Sequence, residues 1–194
     1  MTTMAAIRKA WQPILGIAAW AVAGIGAFLT FPIDLSASSG NGAYIIGGTQ
    51  AFVAIAFGLL SIAVVGFGVI KPQTWLLYGV GLLAALVISF FGYLYLYASW
   101  TCDYASGVRL VMGSQYSQAL TNYLTQKNQA LSCETVRDFA GDTYRMFGSS
   151  QLIMRFVIIS AAYMVTWLFL AASIVCVGAG LVSTRNPSLK RKAT

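Results

Sequence analysis

The sequence predicts an all-α fold, an integral membrane four-helix bundle with a helical extracytoplasmic loop between its third and fourth crossings. Composition is the first indication, because 58% of the 194 residues are hydrophobic and 9% are charged, whereas about a quarter of a soluble domain is charged. The uncharged stretches are the second indication. A helix that crosses the hydrocarbon needs about 20 apolar residues, and the chain offers four stretches of that kind.

The distribution of charge is the third indication, and it also predicts an orientation. All five acidic residues lie in two stretches that carry as many basic residues, so the net charge of +7 comes from the rest of the chain. The basic stretches are those of Arg8 and Lys9, of Lys71, and of the carboxyl-terminal tail. Because cytoplasmic loops are enriched in Lys and Arg, both termini are predicted to be cytoplasmic, in a bacterial inner membrane or a eukaryotic plasma or internal membrane.

The predicted crossings lie at about residues 13–31, 51–70, 75–100 and 156–182. The turn at residues 71–73 is so short that the second and third crossings are expected to form an antiparallel hairpin. The third and fourth crossings exceed the hydrocarbon thickness, so they are expected to tilt or to extend into the headgroup region.

The amino-terminal segment has a second interpretation, as a cleaved secretory signal. Arg8 and Lys9 precede an apolar run, and Leu35, Ser36 and Ala37 resemble a cleavage site. The apolar run is long for a signal core, and we therefore retain four crossings.

Residues 101–152 form the largest predicted extracytoplasmic segment, and we expect this segment to be helical. Between Tyr104 and Ala130, apolar residues recur at spacings of three and four, which is typical of an amphipathic helix. Gly113 and Ser114 offer a break in this helix, which is needed because a straight helix of about 26 residues would hold Cys102 and Cys133 close to 40 Å apart. Ser132 is suited to cap a second helix that has Glu134 in its first turn. The helices are expected either to pack on each other and on the membrane surface or to form a partner-binding head. The predicted buried positions are Val108, Val111, Met112, Tyr116, Ala119, Tyr123 and Leu124 in the first helix, and Val136, Phe139, Ala140, Thr143 and Phe147 in the second.

Cys102 and Cys133 both lie in this loop, on the side that is predicted to be oxidising, so we expect them to form a disulfide. The pair is either a structural staple or a redox pair. Four-span thiol oxidases that reduce quinone resemble this plan, but they also need a Cys-x-x-Cys in the first outer loop, and residues 32–50 contain no cysteine. Cys176, in the fourth crossing, is predicted to be a small packing residue.

Catalytic, metal-binding and cofactor-binding candidates are all absent from the sequence. The chain has no histidine, which removes the commonest general base and the commonest haem and metal ligand. None of the predicted crossings carries an ionisable residue in its central portion, where a proton or ion path would need one. We therefore predict a protein that is not an enzyme and has no cofactor.

Three other groups of residues are predicted to serve packing and membrane contact. Small residues spaced by four allow helices to approach closely, either within one bundle or between subunits. Aromatic residues and Arg155 near the ends of the crossings are expected to act as interfacial anchors. The basic tail, residues 183–194, is expected to bind anionic lipids, and its lack of aromatic residues argues against nucleic acid. The packing residues are Ala19, Ala23, Ala27, Ala54, Gly58, Gly81, Ala85 and Ala172, the anchors are Trp11, Trp75, Tyr93, Tyr97, Trp100 and Arg155, and the tail residues are Arg185, Lys190, Arg191 and Lys192.

The plan of the chain resembles that of four-span families such as the tetraspanins and the claudin group. The shared features are inner termini, a short first outer loop and a tight inner turn, with a large second outer loop that holds a cysteine pair as in tetraspanins. The Cys-Cys-Gly of tetraspanins is missing, since Cys102 and Cys133 each stand alone. The resemblance implies an organising or assembly role through lateral contacts.

Two functions of different classes are consistent with these features. The first is a non-catalytic subunit that packs laterally in a larger membrane complex, with lipids and either other integral membrane proteins or copies of itself as partners. The second is a small homo-oligomeric channel, and a membrane thiol oxidoreductase is a distant third. The channel would be lined by hydroxyl side chains contributed by several copies, namely those of Ser61, Ser89, Ser160, Thr166 and Ser173.

Overall fold

Two long helices dominate the fold. A computed structural model describes residues 33–38, 47–56, 58–59, 72–105 and 107–185 of the chain. Helix α1 covers Pro72–Trp100 and helix α5 covers Ser149–Arg185. Within them, Gln73–Trp100 and Ser149–Leu181 are long and apolar enough to cross a membrane, and each contains an 18-residue window of high mean hydropathy, 2.0 in the first and 2.1 in the second.

The helices agree with the third and fourth predicted crossings, except that α5 begins seven residues before the predicted start at residue 156. Residues 47–56 and 58–59 are also helical, which overlaps the amino-terminal part of the second predicted crossing. The first predicted crossing, most of the second, and residues 186–194 of the tail lie outside the described residues.

The described residues divide into two compact units. In the first unit, which covers residues 49–56, 58–59, 72–89 and 164–185 of the described chain, glycines let α1 and α5 approach closely. A Cβ atom added at Gly79 would lie 2.7 Å from Val177 Cγ2, and one added at Gly180 would lie 2.8 Å from Leu76 Cγ. These glycines are therefore the contact points that this pair of helix segments needs.

The second unit contains a three-stranded sheet, which corrects the all-α prediction and the predicted helix that begins at Tyr104. Strands β1 (Ile33–Asp34), β2 (Thr101–Ala105) and β3 (Val108–Val111) lie in the order β1-β3-β2. Strand β3 pairs antiparallel with β2 and parallel with β1. The apolar spacing that suggested a helix is ambiguous over so short a segment. Tertiary pairing with a strand more than 70 residues away decides it.

Three short helices follow the sheet in the chain. They are α2 (Gln118–Lys127), α3 (Cys133–Asp138) and α4 (Thr143–Met146). Ser132 caps α3 as predicted, and its side chain and that of Thr135 form a reciprocal capping box. The predicted second helix is nevertheless interrupted, because Ala140 and Gly141 have φ angles of 54° and 71°, which no right-handed helix accommodates.

The core of this part of the second unit is assembled from all of these elements. Its buried apolar side chains, each at most 1% exposed, are Ile33, Leu110, Val111, Leu120, Val136, Met146 and Phe147. Of the positions that the sequence predicted as buried, Val111, Val136, Thr143 and Phe147 are buried, whereas Ala119, Ala140 and Tyr116 are exposed. None of these three lies in a strand, since Tyr116 precedes α2, Ala119 lies in α2 and Ala140 lies in the turn after α3. A continuous helical spacing does not predict their exposure because the segment is divided into short elements, each with its own buried side.

Replacement of Gly141 by Ala is expected to destabilise the second unit more than any other Gly→Ala change in this part of the chain. Gly141 has a positive φ, and an added Cβ would lie 2.7 Å from Ala37 Cβ and 2.9 Å from the Tyr104 ring. Strain and overpacking should together lower the free energy of unfolding by about 2–5 kcal/mol. Thermal unfolding in detergent measures the loss.

Two matched variants separate the contributions to that loss. Gly107→Ala introduces the positive-φ strain with no described atom within 4 Å, and Gly113→Ala introduces only a clash, 2.5 Å from Phe147 Cβ. Each should cost less than Gly141→Ala. An unchanged melting temperature for Gly141→Ala would contradict the placement of Ala37 against the turn at residues 140–141.

Candidate functional site

The candidate site is the folded segment between the two long helices, which we call the cap and define as residues 33–38, 101–105 and 107–148. Its first attachment is to the carboxyl end of α1. The Thr101 hydroxyl donates to the Tyr97 carbonyl oxygen at 2.5 Å, and the Met112 N–H donates to the Trp100 carbonyl oxygen at 2.8 Å. The last carbonyl groups of a helix lack partners within that helix, and the cap provides partners for two of them.

The second attachment is to the first turns of α5. The Gln151 Oε1 atom accepts hydrogen bonds from Ser114 N–H at 3.3 Å, from the Ser114 hydroxyl at 3.0 Å and from Gln115 N–H at 3.0 Å. The preceding Gly113 lies directly against the buried Phe147, where a side chain would clash. Residues 113–115 are therefore held between the cap core and α5.

Arg155 lies one helical turn after Gln151 and continues this attachment. Its Nη1 group donates to the Met112 carbonyl oxygen at 2.6 Å, and its guanidinium carbon lies 5.0 Å from the centroid of the Trp100 ring. The sequence identified both Arg155 and Trp100 as interfacial anchors. The structure brings them together, and anchoring in a membrane interface stays a prediction for both.

The cysteine pair forms the predicted disulfide. Cys102 of β2 and Cys133 of α3 are bonded, with Cα atoms 5.5 Å apart. Cys102 is buried and Cys133 is exposed. The bond joins the sheet to the short helices, so it holds together two parts of the cap that are 31 residues apart in sequence. Cys176 is a free, half-buried thiol in α5.

An ion pair lies on the outer surface of the hairpin. Arg109 of β3 donates two hydrogen bonds to the carboxylate of Asp103 on β2, and its guanidinium carbon lies 4.5 Å from the Tyr97 ring centroid. The hydrogen bonds from Arg109 hold the pKa of the Asp103 carboxyl below its usual value. Since Asp103 and Arg109 are directly opposed across the strands, the pair also supports the register of the hairpin.

Aromatic side chains near the carboxyl end of α1 pack within the second unit. Tyr93 is buried, with its ring centroid 5.8 Å from that of Tyr97 and 5.6 Å from that of Tyr163 on α5. These geometries are typical of favourable aromatic pairs. Tyr93, predicted as an anchor, therefore has a packing role here.

A shallow depression forms where β1 and the residues after it meet the turn before α4. The Thr143 hydroxyl donates to the Leu35 carbonyl oxygen, and Ala37 N–H donates to the Gly141 carbonyl oxygen at 3.2 Å. The depression measures about 300 Å³ and is open to solvent. Its lining residues are Ser36, Ala37, Ser38, Ala140, Gly141, Asp142 and Tyr144.

The part of the chain that the structure describes holds no group of three or more Cys, Asp or Glu side chains that could bind a metal ion. Sequence reasoning did not identify the tertiary contacts of Gln151, Gly113 and Thr143, although it placed Thr143 on the buried side of a helix. Their signal is weak, since a Gln, a Gly or a Thr near a loop is common, and only the fold supplies their partners.

The predicted packing residues show a mixed distribution in the described chain. Ala54, Gly58 and Gly81 are exposed, and Ala85 and Ala172 are half-buried. No described atom lies within 4 Å of a Cβ added at Gly58 or Gly81. Ala19, Ala23, Ala27 and Trp11 lie outside the described residues, as do Lys190, Arg191 and Lys192 of the tail, and the Arg185 side chain is not described. Trp75 is half-buried in α1.

The hydroxyls proposed to line a pore are engaged inside the protein. Ser89 and Thr166 hydroxyls are hydrogen-bonded to each other at 2.9 Å across α1 and α5. Ser160 donates to the Phe156 carbonyl oxygen at 2.7 Å, and Ser173 donates to that of Leu170 at 2.8 Å. Ser61 lies outside the described residues. These bonds supply no specific support for the channel hypothesis.

No protein-family model, no curated protein and no solved structure matches this chain. The resemblance to tetraspanins therefore stays an expectation drawn from the plan of the sequence.

Removal of the disulfide should destabilise the cap. Replacement of both Cys102 and Cys133 by Ser frees a loop of 31 residues, for which the chain-entropy model predicts a loss of about 3–4 kcal/mol in the free energy of unfolding. Chemical unfolding in detergent measures the loss. Cys176→Ser is the control and should change stability by less than 1 kcal/mol or so. Equal stability of the double variant and the control would contradict a stapling role.

The Asp103–Arg109 pair should make the cap less stable in acid. Because the folded-state pKa of Asp103 lies below its unfolded value of about 4, the contribution is present above pH 4 or so and is lost as pH falls through the folded pKa. Melting temperatures of wild type and Asp103→Asn, measured from pH 6 to pH 2, should converge at the acid end. A constant difference between the two proteins across that range would contradict the coupling.

Proposed function

We propose that the chain is a non-catalytic subunit of a larger membrane protein complex, which it joins through lateral helix contacts while it presents the cap to partners on the extracytoplasmic side. The proposal includes four membrane crossings and cytoplasmic termini. Its main support is the exposed surface of α1. Only 6% of an apolar 18-residue window in this helix is buried.

The exposed side chains of α1 are arranged in rows that suit helix packing. Leu77, Ala84 and Phe91 repeat at spacing seven, and so do Gly81, Ile88 and Tyr95. The exposed fraction is 71% for Leu77, 73% for Ile88 and 65% for Phe91. Exposure of each of these side chains to water would cost about 1.5–3 kcal/mol of free energy relative to burial. Lipid or another apolar helix removes that penalty, and the small residues in the rows allow close approach.

The cap supports the second half of the proposal. It is stapled by a disulfide, attached to both long helices, and exposes a polar surface on α2, where Asn122, Gln126 and Lys127 are open to solvent. A disulfide is typical of proteins on the oxidising side of a membrane. Such a preformed surface can bind a partner with little loss of conformational entropy.

Gly81→Ile tests the lateral contact. The position is exposed and open in the described structure, so the larger side chain should leave the melting temperature unchanged while it blocks a close helix contact. Val165→Leu, on the exposed side of α5, is the matched control. After gentle detergent extraction, native mass measurement should find unrelated membrane proteins bound to wild type and to the control, and at least tenfold less of them bound to Gly81→Ile.

Two further sets of observations would overturn the proposal. A closed ring of identical chains, together with ion currents from purified protein in liposomes, would favour the channel. Reporter tags that place the two termini on opposite faces would exclude the proposed topology.

A further inference from the structure

Arg155 is a charged residue in an otherwise uncharged setting. Within Gln73–Trp100 and Ser149–Leu181 it is the single charged residue of the sequence. It lies near the amino end of α5, where the apolar part of the helix meets the cap. Among the residues that the structure describes, the ion pair joins Arg109 to Asp103. Arg155 has no acidic partner among those residues.

The guanidinium of Arg155 is held in place, but most of its N–H donors have no acceptor among the described residues. It makes one hydrogen bond, from Nη1 to the Met112 carbonyl oxygen at 2.6 Å, and it lies over the Trp100 ring at 5.0 Å. A guanidinium has five N–H donors in one plane. A planar guanidinium held in a fixed orientation with free donors can donate two parallel hydrogen bonds to two oxygens of a phosphate.

An apolar stripe runs from this point along α5. Met154, Ile158 and Ala161 follow one another at spacings of four and three, so they share one side of the helix next to Arg155. Met154 is 65% exposed, Ala161 is exposed and Ile158 is half-buried. The stripe is apolar and about 10 Å long, so it can contact the part of an acyl chain nearest the headgroup, while Trp100 has the amphipathic ring that is enriched at headgroup level.

We propose that Arg155, oriented by the Met112 carbonyl and by Trp100, binds the phosphodiester group of a membrane phospholipid whose acyl chain lies on Met154, Ile158 and Ala161. This site rests on the membrane insertion included in the proposed function, but it is independent of any protein partner. Arg109 cannot serve in the same way, because the Asp103 carboxylate already accepts two of its hydrogen bonds.

The test measures lipid retention by the full chain. Protein stripped of lipid in detergent is incubated with phosphatidylglycerol or with diacylglycerol of the same chains, and bound lipid is counted by native mass spectrometry. Wild type should retain phosphatidylglycerol and release diacylglycerol. Arg155→Gln should lower the affinity for phosphatidylglycerol about tenfold, the size expected for loss of a charge-assisted hydrogen bond. Arg145→Gln, an exposed cap arginine of α4, should equal wild type.

A conservative variant distinguishes the loss of the guanidinium from misfolding of the chain. Arg155→Lys keeps the charge and a donor for Met112 but loses the planar fork, so it should fold, form the disulfide and still bind phosphatidylglycerol about threefold more weakly than wild type. Equal affinity of wild type and both Arg155 variants would overturn the proposal. Equal competition by soluble glycerol 3-phosphate would also overturn it, since the site would then be a general anion site. Failure of the chain to enter liposomes at all would refute the proposed function instead.

Discussion

The hydrogen bond from the Met112 N–H to the Trp100 carbonyl oxygen determines how the cap leaves the membrane-length helix α1. Trp100 is the last residue of the helix and Thr101 is the first of strand β2, so no linker separates them. The helix end has carbonyl groups without intrahelical partners, and the hairpin folds back to satisfy one of them. The direction of the sheet is consequently set by the direction of the helix.

The same logic applies at the start of α5. The cap and the helix share hydrogen bonds through Gln151 and Arg155, which lie on one side of the helix because four residues separate them. Both side chains bind main-chain groups of residues 112–115, which lack regular secondary structure. A segment of irregular backbone would otherwise need water for its polar groups. The hydrogen bonds from α5 make the cap continuous with the carboxyl end of α1 and the amino end of α5.

Several polar contacts in the described chain join one structural element to another. The ion pair, the disulfide and the hydrogen bond from Ser114 to Gln151 each connect one element of the cap to another or to a long helix, whereas the Ser89–Thr166 hydrogen bond joins the two long helices. Arg155 differs from these groups, because most of its N–H donors have no acceptor among the described residues and it lies beside an apolar stripe. The surfaces that the described residues present are an apolar face on α1, a polar surface on α2 and the guanidinium of Arg155.

The sequence alone was sufficient for the features that depend on local composition and covalent chemistry. The two apolar helices follow from uncharged runs that exceed the length of a membrane crossing. The start of α3 follows from the hydrogen-bonding side chain of Ser132, and the Cys102–Cys133 bond follows from the place of both cysteines in one loop. Only the tertiary structure decided the sheet, the break at Ala140 and Gly141, and the contacts of Gln151 and Arg155. Those features join residues that are distant in sequence, such as Ile33 and Arg109. A spacing pattern reports only which side of its own segment is apolar, and it contains no information about which distant backbone will supply the hydrogen bonds.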